Sequence, residues 1–145
     1  MRDYVKGKGK YEWCLGQPNI DPYVHYQLVL ETLGQPLSTF KLTWQLCQVI
    51  WDAIMAHVIA YERTKILHQD VSTGNILICK DGSGILINWD PSKKEDMDAQ
   101  PRGPSQTGTW QFISTGLLLS PFTWLHEVPD DLESFFWVLL YVVMK

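Results

Sequence analysis

The sequence has no apolar run long enough to cross a bilayer: the longest, Phe135 to Met144, falls well short of the ~20 residues that a spanning helix needs. Met1 to Trp13 holds no apolar stretch of the kind a secretory leader carries, so residence inside the cell, cytoplasmic or nuclear, is the default expectation. Cysteine is scarce. Cys14, Cys47 and Cys79 are odd in number and far apart, which argues against a disulfide framework or a zinc site and predicts buried thiols in a reducing compartment. Positive charge is also short: 12 Lys and Arg against 16 Asp and Glu leave a net charge of −4. A basic face for nucleic acid is therefore not expected, and neither is a membrane partner. There is no internal repeat.

What is present suffices for one domain. The chain has 145 residues, 46% of them hydrophobic, with seven Trp to fill a core. Residues 1–22 are weakly patterned. Lys6-Gly7-Lys8-Gly9-Lys10 has two glycines of a phosphate-cradling loop, but Glu12 stands where the third is needed, so a flexible basic tip is the better reading. Val24, Tyr26, Leu28 and Leu30 alternate along a strand. Leu42 to Leu67 predicts a long helix, with Leu42, Leu46, Val49, Ile50, Ala53, His57, Ala60 and Tyr61 on one face. Trp44, Trp51, Met55 and Val58 widen its apolar surface, which predicts burial on more than one side. His57 reads as a satisfied core histidine.

The most informative stretch is Ile66 to Asp90. Two short β-branched runs, Ile76-Leu77-Ile78 and Ile85-Leu86-Ile87, flank the turn-rich Lys80-Asp81-Gly82-Ser83-Gly84, which predicts an antiparallel hairpin. In such a hairpin the start of the first strand lies beside the end of the second. Asn75 should therefore sit near Asn88, with Asp70 reaching the same end across the Ser72-Thr73-Gly74 loop. Singly, each is an ordinary turn former. Together they place three oxygen-bearing side chains where a carboxylate can orient a hydroxyl and amides can face a hard cation.

Further on, Pro91 to Thr107 is polar, with Lys93-Lys94-Glu95-Asp96 and two more prolines, and predicts a mobile segment. Pro129, Asp130 and Asp131 open a final helix, Leu132 to Met144, apolar nearly all round and so expected to be buried.

His68-Gln69-Asp70 followed by Asn75 resembles the His-Arg-Asp-x-x-x-x-Asn catalytic loop of protein kinases. The wider wording resembles the fungal-type protein kinase domain family. The matching segments are Tyr26 to Leu30 with Gly34-x-Pro36-Leu37, Asp52-Ala53-Ile54 with His57, Gly74 to Ile78, Gly108-Thr109-Trp110-Gln111-Phe112 and Asp130 to Phe136. They cover nearly everything after about residue 23 and come in the family's order.

The resemblance implies an α+β, protein-kinase-like fold over residues 23–145: a mainly helical C-lobe fragment with a hinge strand and a small antiparallel β-hairpin. It implies phosphoryl transfer from ATP to a protein Ser or Thr, with Mg²⁺. Asp70 would be catalytic. Asn75 and either Asn88 or Asp90 would hold metal. Leu30, Glu31 and Leu33 would form the nucleotide-binding hinge, His68 and Asp131 would support the loop, and Gly108 and Thr109 would face the substrate.

Three departures accompany the resemblance. Gln69 replaces the usual Arg, Asn88-Trp89-Asp90 replaces Asp-Phe-Gly, and the chain reads as lacking most of the N-lobe and the end of the C-lobe. Two alternatives stay open: an inactive pseudokinase or interaction fragment with an unknown protein partner, and a small-molecule phosphotransferase, which shares a similar loop.

Overall fold

The computed structural model describes residues 34–89, 93–94, 108–119 and 125–145. The chain divides into two units, Met1–Leu30 and Glu31–Lys145, and all described residues belong to the second. The expected strand over Val24 to Leu30, the hinge residues Leu30, Glu31 and Leu33, and Asp90 lie outside the described residues.

The architecture is α+β, as the sequence predicts. The strands are β1 (Gly34–Pro36), β2 (Ile66–Leu67), β3 (Ile76–Cys79), β4 (Gly84–Leu86) and β5 (Lys93–Lys94), and the helices are α1 (Thr43–Thr64), α2 (Thr115–Leu119) and α3 (Val128–Met144). One antiparallel sheet runs β1-β3-β4 and another pairs β2 with β5. The expected hairpin forms, but its second strand is Gly84–Leu86 rather than Ile85–Ile87, so Ile76 stands opposite Leu86 and Ile78 opposite Gly84. Pro36 sits on β1, an edge strand, where a missing N–H costs no ladder bond. Among the described residues no helix is long and apolar enough to cross a membrane.

Helix α1 stops three residues before the expected end. Lys65 turns left-handed at φ 58° and its N–H bonds Tyr61 O at 2.8 Å, freeing Ile66 and Leu67 to pair with Lys94 and Lys93. Part of the segment expected to be mobile is thus a strand. Burial on α1 is one-sided: Leu46, Val49, Ile50, Ala53 and His57 are buried, whereas Trp44 and Trp51 are 66% and 58% exposed. Leu42 precedes the helix and is exposed. The apolar pattern overstates burial because only one face of α1 meets the sheet and α3.

Helix α3 departs from expectation in the same way. It begins at Val128, where Glu127 caps it and Asp130 Oδ2 accepts from the Glu127 N–H at 2.8 Å. Phe135, Val138 and Val142 are buried, but Phe136, Val143 and Met144 are mostly exposed. Cys47 is exposed and Cys79 half-buried, which corrects the expectation of buried thiols for both; Cys14 lies outside the described residues.

Gly84 holds the hairpin on α1. A Cβ there would lie 2.3 Å from Val49 O and 2.8 Å from Val49 Cα, and the Gly84 N–H donates to Asp52 Oδ2 at 2.8 Å. Helix backbone cannot yield as a side chain does, so Gly84→Ala is expected to cost about 2–3 kcal/mol. The drop in denaturant midpoint measures it, and an unchanged midpoint would show that the approach is not tight.

Candidate functional site

The hairpin end gathers the residues that the sequence brings together. Ile87 N donates to Asn75 O at 2.9 Å, fixing the two strand ends side by side. The Asn75 Nδ2 group donates to Asp70 O at 2.7 Å and to Asp70 Oδ2 at 3.0 Å. Asn88 Nδ2 donates to Asn75 Oδ1 at 3.3 Å. Asn75 is buried, Asp70 half-buried and Asn88 exposed.

Thr109 closes the site from the far side. Its N–H donates to Asp70 Oδ1 at 2.9 Å and its hydroxyl to the same oxygen at 3.3 Å. Gly108, at φ 134°, takes a conformation that other residues rarely adopt, and an added Cβ would meet Gln69 O at 3.3 Å. The resemblance implies that Gly108 and Thr109 face the substrate; the structure ties Thr109 to the carboxylate of Asp70. This contact spans 39 residues and carries no local signal.

Behind the loop lies Asp131, fully buried. Its Oδ2 accepts from His57 Nε2 at 2.7 Å and His68 N at 2.9 Å, and its Oδ1 from His126 Nε2 at 2.8 Å and Gln69 N at 3.1 Å. Burial opposes this charge, but the bonds from His126 and His57 outweigh it and hold the carboxyl far below the ordinary carboxylate range. Gln69 is thereby pinned at φ 68°, a left-handed conformation costing about 1–3 kcal/mol in a non-glycine residue. Such strain persists only where the surroundings enforce it, and here it aims Asp70 at the hairpin end.

Sequence reasoning missed His126. It precedes the helix in a segment without periodicity, and its only signal was the spacing of five residues to Asp131. It also missed Trp89, whose ring lies 4.7 Å from that of His68 and whose Nε1 donates to Leu86 O at 3.1 Å. Ser114 and Glu133 were missed too: the Ser114 hydroxyl donates to Asp130, and Glu133 accepts from Thr115 N at 2.9 Å.

His68 is fully buried, and its two ring nitrogens do opposite things. Nε2 lies 2.9 Å from Ile87 O, an acceptor, whereas Nδ1 accepts from Asp70 N at 3.3 Å. Only the neutral Nε2–H tautomer satisfies both. Burial lowers its pKa, only partly opposed by the Ile87 carbonyl and the Asp131 charge. The unfolded imidazole, near pH 6.5, therefore takes up its proton first, and stability falls as the pH drops below about 6.5. His68→Gln, which cannot titrate there, should flatten the melting-temperature profile between pH 8 and pH 5. An unchanged slope would show that His68 takes up its proton alike in the folded and unfolded states.

A family model described as fungal protein kinase matches residues 5–143. No curated protein matches the chain. The match spans almost the whole sequence and includes every element that builds the loop: the chain belongs to the fungal protein kinase family.

Proposed function

We propose that the loop from His68 to Asn75 orients a Ser or Thr hydroxyl of a protein substrate for phosphoryl transfer from ATP. The observation that carries this reading is the state of the Asp70 carboxylate. A carboxylate offers about four lone-pair sites. Among the described residues, Oδ1 accepts twice from Thr109 and Oδ2 once from Asn75. One site on Oδ2 is left, on a side chain held by two separate elements and half-exposed. A substrate hydroxyl donating to it has its oxygen lone pair turned outward for attack on the γ-phosphorus. The bond to the ADP oxygen breaks, and the hydroxyl proton passes to Asp70.

In this reading His68 and Asp131 are positioning residues, and Leu30, Glu31 and Leu33 would contact the adenine. Mg²⁺ would arrive with the phosphates of ATP, with Asn75 as one of its neighbours and Asp90, rather than the neutral Asn88, at the second metal position. Gly108 would keep Thr109 against Asp70 while leaving room for substrate.

A second reading has a specific observation in its favour. Asn88 carries no charge at the position where the kinase pattern has a metal-binding Asp, which favours a non-catalytic interaction module. Incubating the full chain with γ-labelled ATP and a Ser/Thr peptide library separates the two. Label on peptide supports the first reading; ATP binding without transfer, or no binding, supports the second.

A further inference from the structure

The carboxamide of Asn75 has only one permissible orientation. Its Nδ2 faces two pure acceptors, Asp70 O at 2.7 Å and Asp70 Oδ2 at 3.0 Å, so its Oδ1 must be the atom aimed at Asn88. The Asn88 atom 3.3 Å away is then necessarily its NH₂, because two carbonyl oxygens at that distance would repel. An aspartate at position 88 would bring a carboxylate oxygen against Asn75 Oδ1. Such a pair is stable only with a cation or a proton between its members, and the kinase pattern indeed places a metal between these two positions.

We propose that the amide of Asn88 takes the place of that cation, joining the catalytic loop to the end of β4 through a neutral hydrogen bond that needs no metal. The donor set fits a divalent ion poorly. Mg²⁺ is usually held by one or two carboxylates together with substrate phosphates. Here position 88 supplies a neutral amide, and Asp70 already accepts three hydrogen bonds. Among the described residues no group of three or more His, Cys, Asp or Glu could hold a metal ion. The backbone agrees with the exchange: Asn88 sits at φ 66°, where Asn is among the best-tolerated non-glycine residues. Its exposure means that an ion would reach the position without any rearrangement, so access does not keep a metal away; the chemistry of the side chain does. The inference holds whether or not the chain transfers phosphate.

The test uses the full chain, Mn²⁺ alone as the probe and no nucleotide. Mn²⁺ binding is followed by electron paramagnetic resonance and by melting temperature in the wild type, Asn88→Asp and Asn88→Gly. Millimolar Mn²⁺ should leave the wild-type melting temperature unchanged. Asn88→Asp should melt lower without metal, recover with Mn²⁺ and bind it about tenfold or more tightly than the wild type. Asn88→Gly keeps the backbone conformation but has neither donor nor charge, so it should melt lower and ignore the metal. Equal Mn²⁺ binding by wild type and Asn88→Asp overturns the proposal, and so does an Asn88→Asp variant indifferent to Mn²⁺. Should that variant fail to fold, the wild type decides alone. Side-chain amide NMR signals of Asn75 and Asn88 left sharp by Mn²⁺ support the proposal; selective broadening of both overturns it.

Discussion

Asp131→Asn is expected to lower the melting temperature by about 6–20 °C. Four donors converge on this buried carboxylate: two imidazole N–H groups and the N–H groups of His68 and Gln69. An asparagine keeps one acceptor oxygen and turns an NH₂ toward donors. Removing one partner of a buried charged cluster typically costs about 3–5 kcal/mol, a large share of the roughly 5–15 kcal/mol that holds a domain together. For a chain of this length each kcal/mol moves the midpoint by about 2–4 °C. Glu133→Gln is the control: Glu133 also accepts hydrogen bonds, from Thr115 and Trp137, but lies near solvent, so its loss should stay within about 1 kcal/mol. Melts of Asp131→Asn and Glu133→Gln that coincide would remove Asp131 from its bracing role.

Acid should reach the same cluster. The folded Asp131 carboxyl is held well below its unfolded value of about 3.9. Its contribution is therefore fully present above about pH 4 and is lost as the pH falls below that, because the unfolded chain binds the proton first. The His68 effect begins higher, below about pH 6.5, and has the same sign. A wild-type profile that declines in two steps on acidification, with the upper step flattened in His68→Gln, separates the two groups.

On the proposed function, Asp70→Asn should reduce phosphoryl transfer by about 10²–10⁴-fold, the range that a positioned acid or base contributes, and should leave nucleotide binding unchanged. The amide cannot take the substrate proton, and its NH₂ must face either Thr109 or Asn75, both of which donate to the native carboxylate. Thr109→Val makes the argument graded. It deletes the 3.3 Å hydroxyl bond and leaves the 2.9 Å backbone bond in place. One lost hydrogen bond to a charged group is worth about 1.5–3 kcal/mol at most, so the loss should be far smaller than in Asp70→Asn. Steady-state rates on any peptide accepted by the wild type measure both variants. An Asp70→Asn rate equal to that of the wild type would exclude Asp70 from the reaction.

The hairpin and its polar end were legible in the sequence because their determinants are local. Two Ile-Leu-Ile triplets and a glycine-rich turn predict the hairpin, and antiparallel pairing then brings Asn75 near Asn88, although the exact register, with Asn75 beside Ile87, came only from the fold. The core face of α1 from Leu46 to His57 followed from helical spacing, and the acids that open α3 from helix-end electrostatics. Other features depended on contacts remote in sequence, to which periodicity is blind. The bond from Thr109 to Asp70 and the convergence of His57, His68, Gln69 and His126 on Asp131 exist only once α1, the loop and α3 are packed. Helix α1 ends at Thr64, earlier than its apolar pattern suggests, where the left-handed Lys65 cap lets Ile66-Leu67 pair with Lys93-Lys94, a partner that only the fold supplies. The exposed faces of α1 and α3 were misread for a related reason: composition states how much of a helix can be buried, and only the neighbours present decide how much is. The sequence by itself thus determined which residues meet at the hairpin end. The tertiary structure decided which of their atoms face one another, and so that Asn75 offers its oxygen to an amide at position 88.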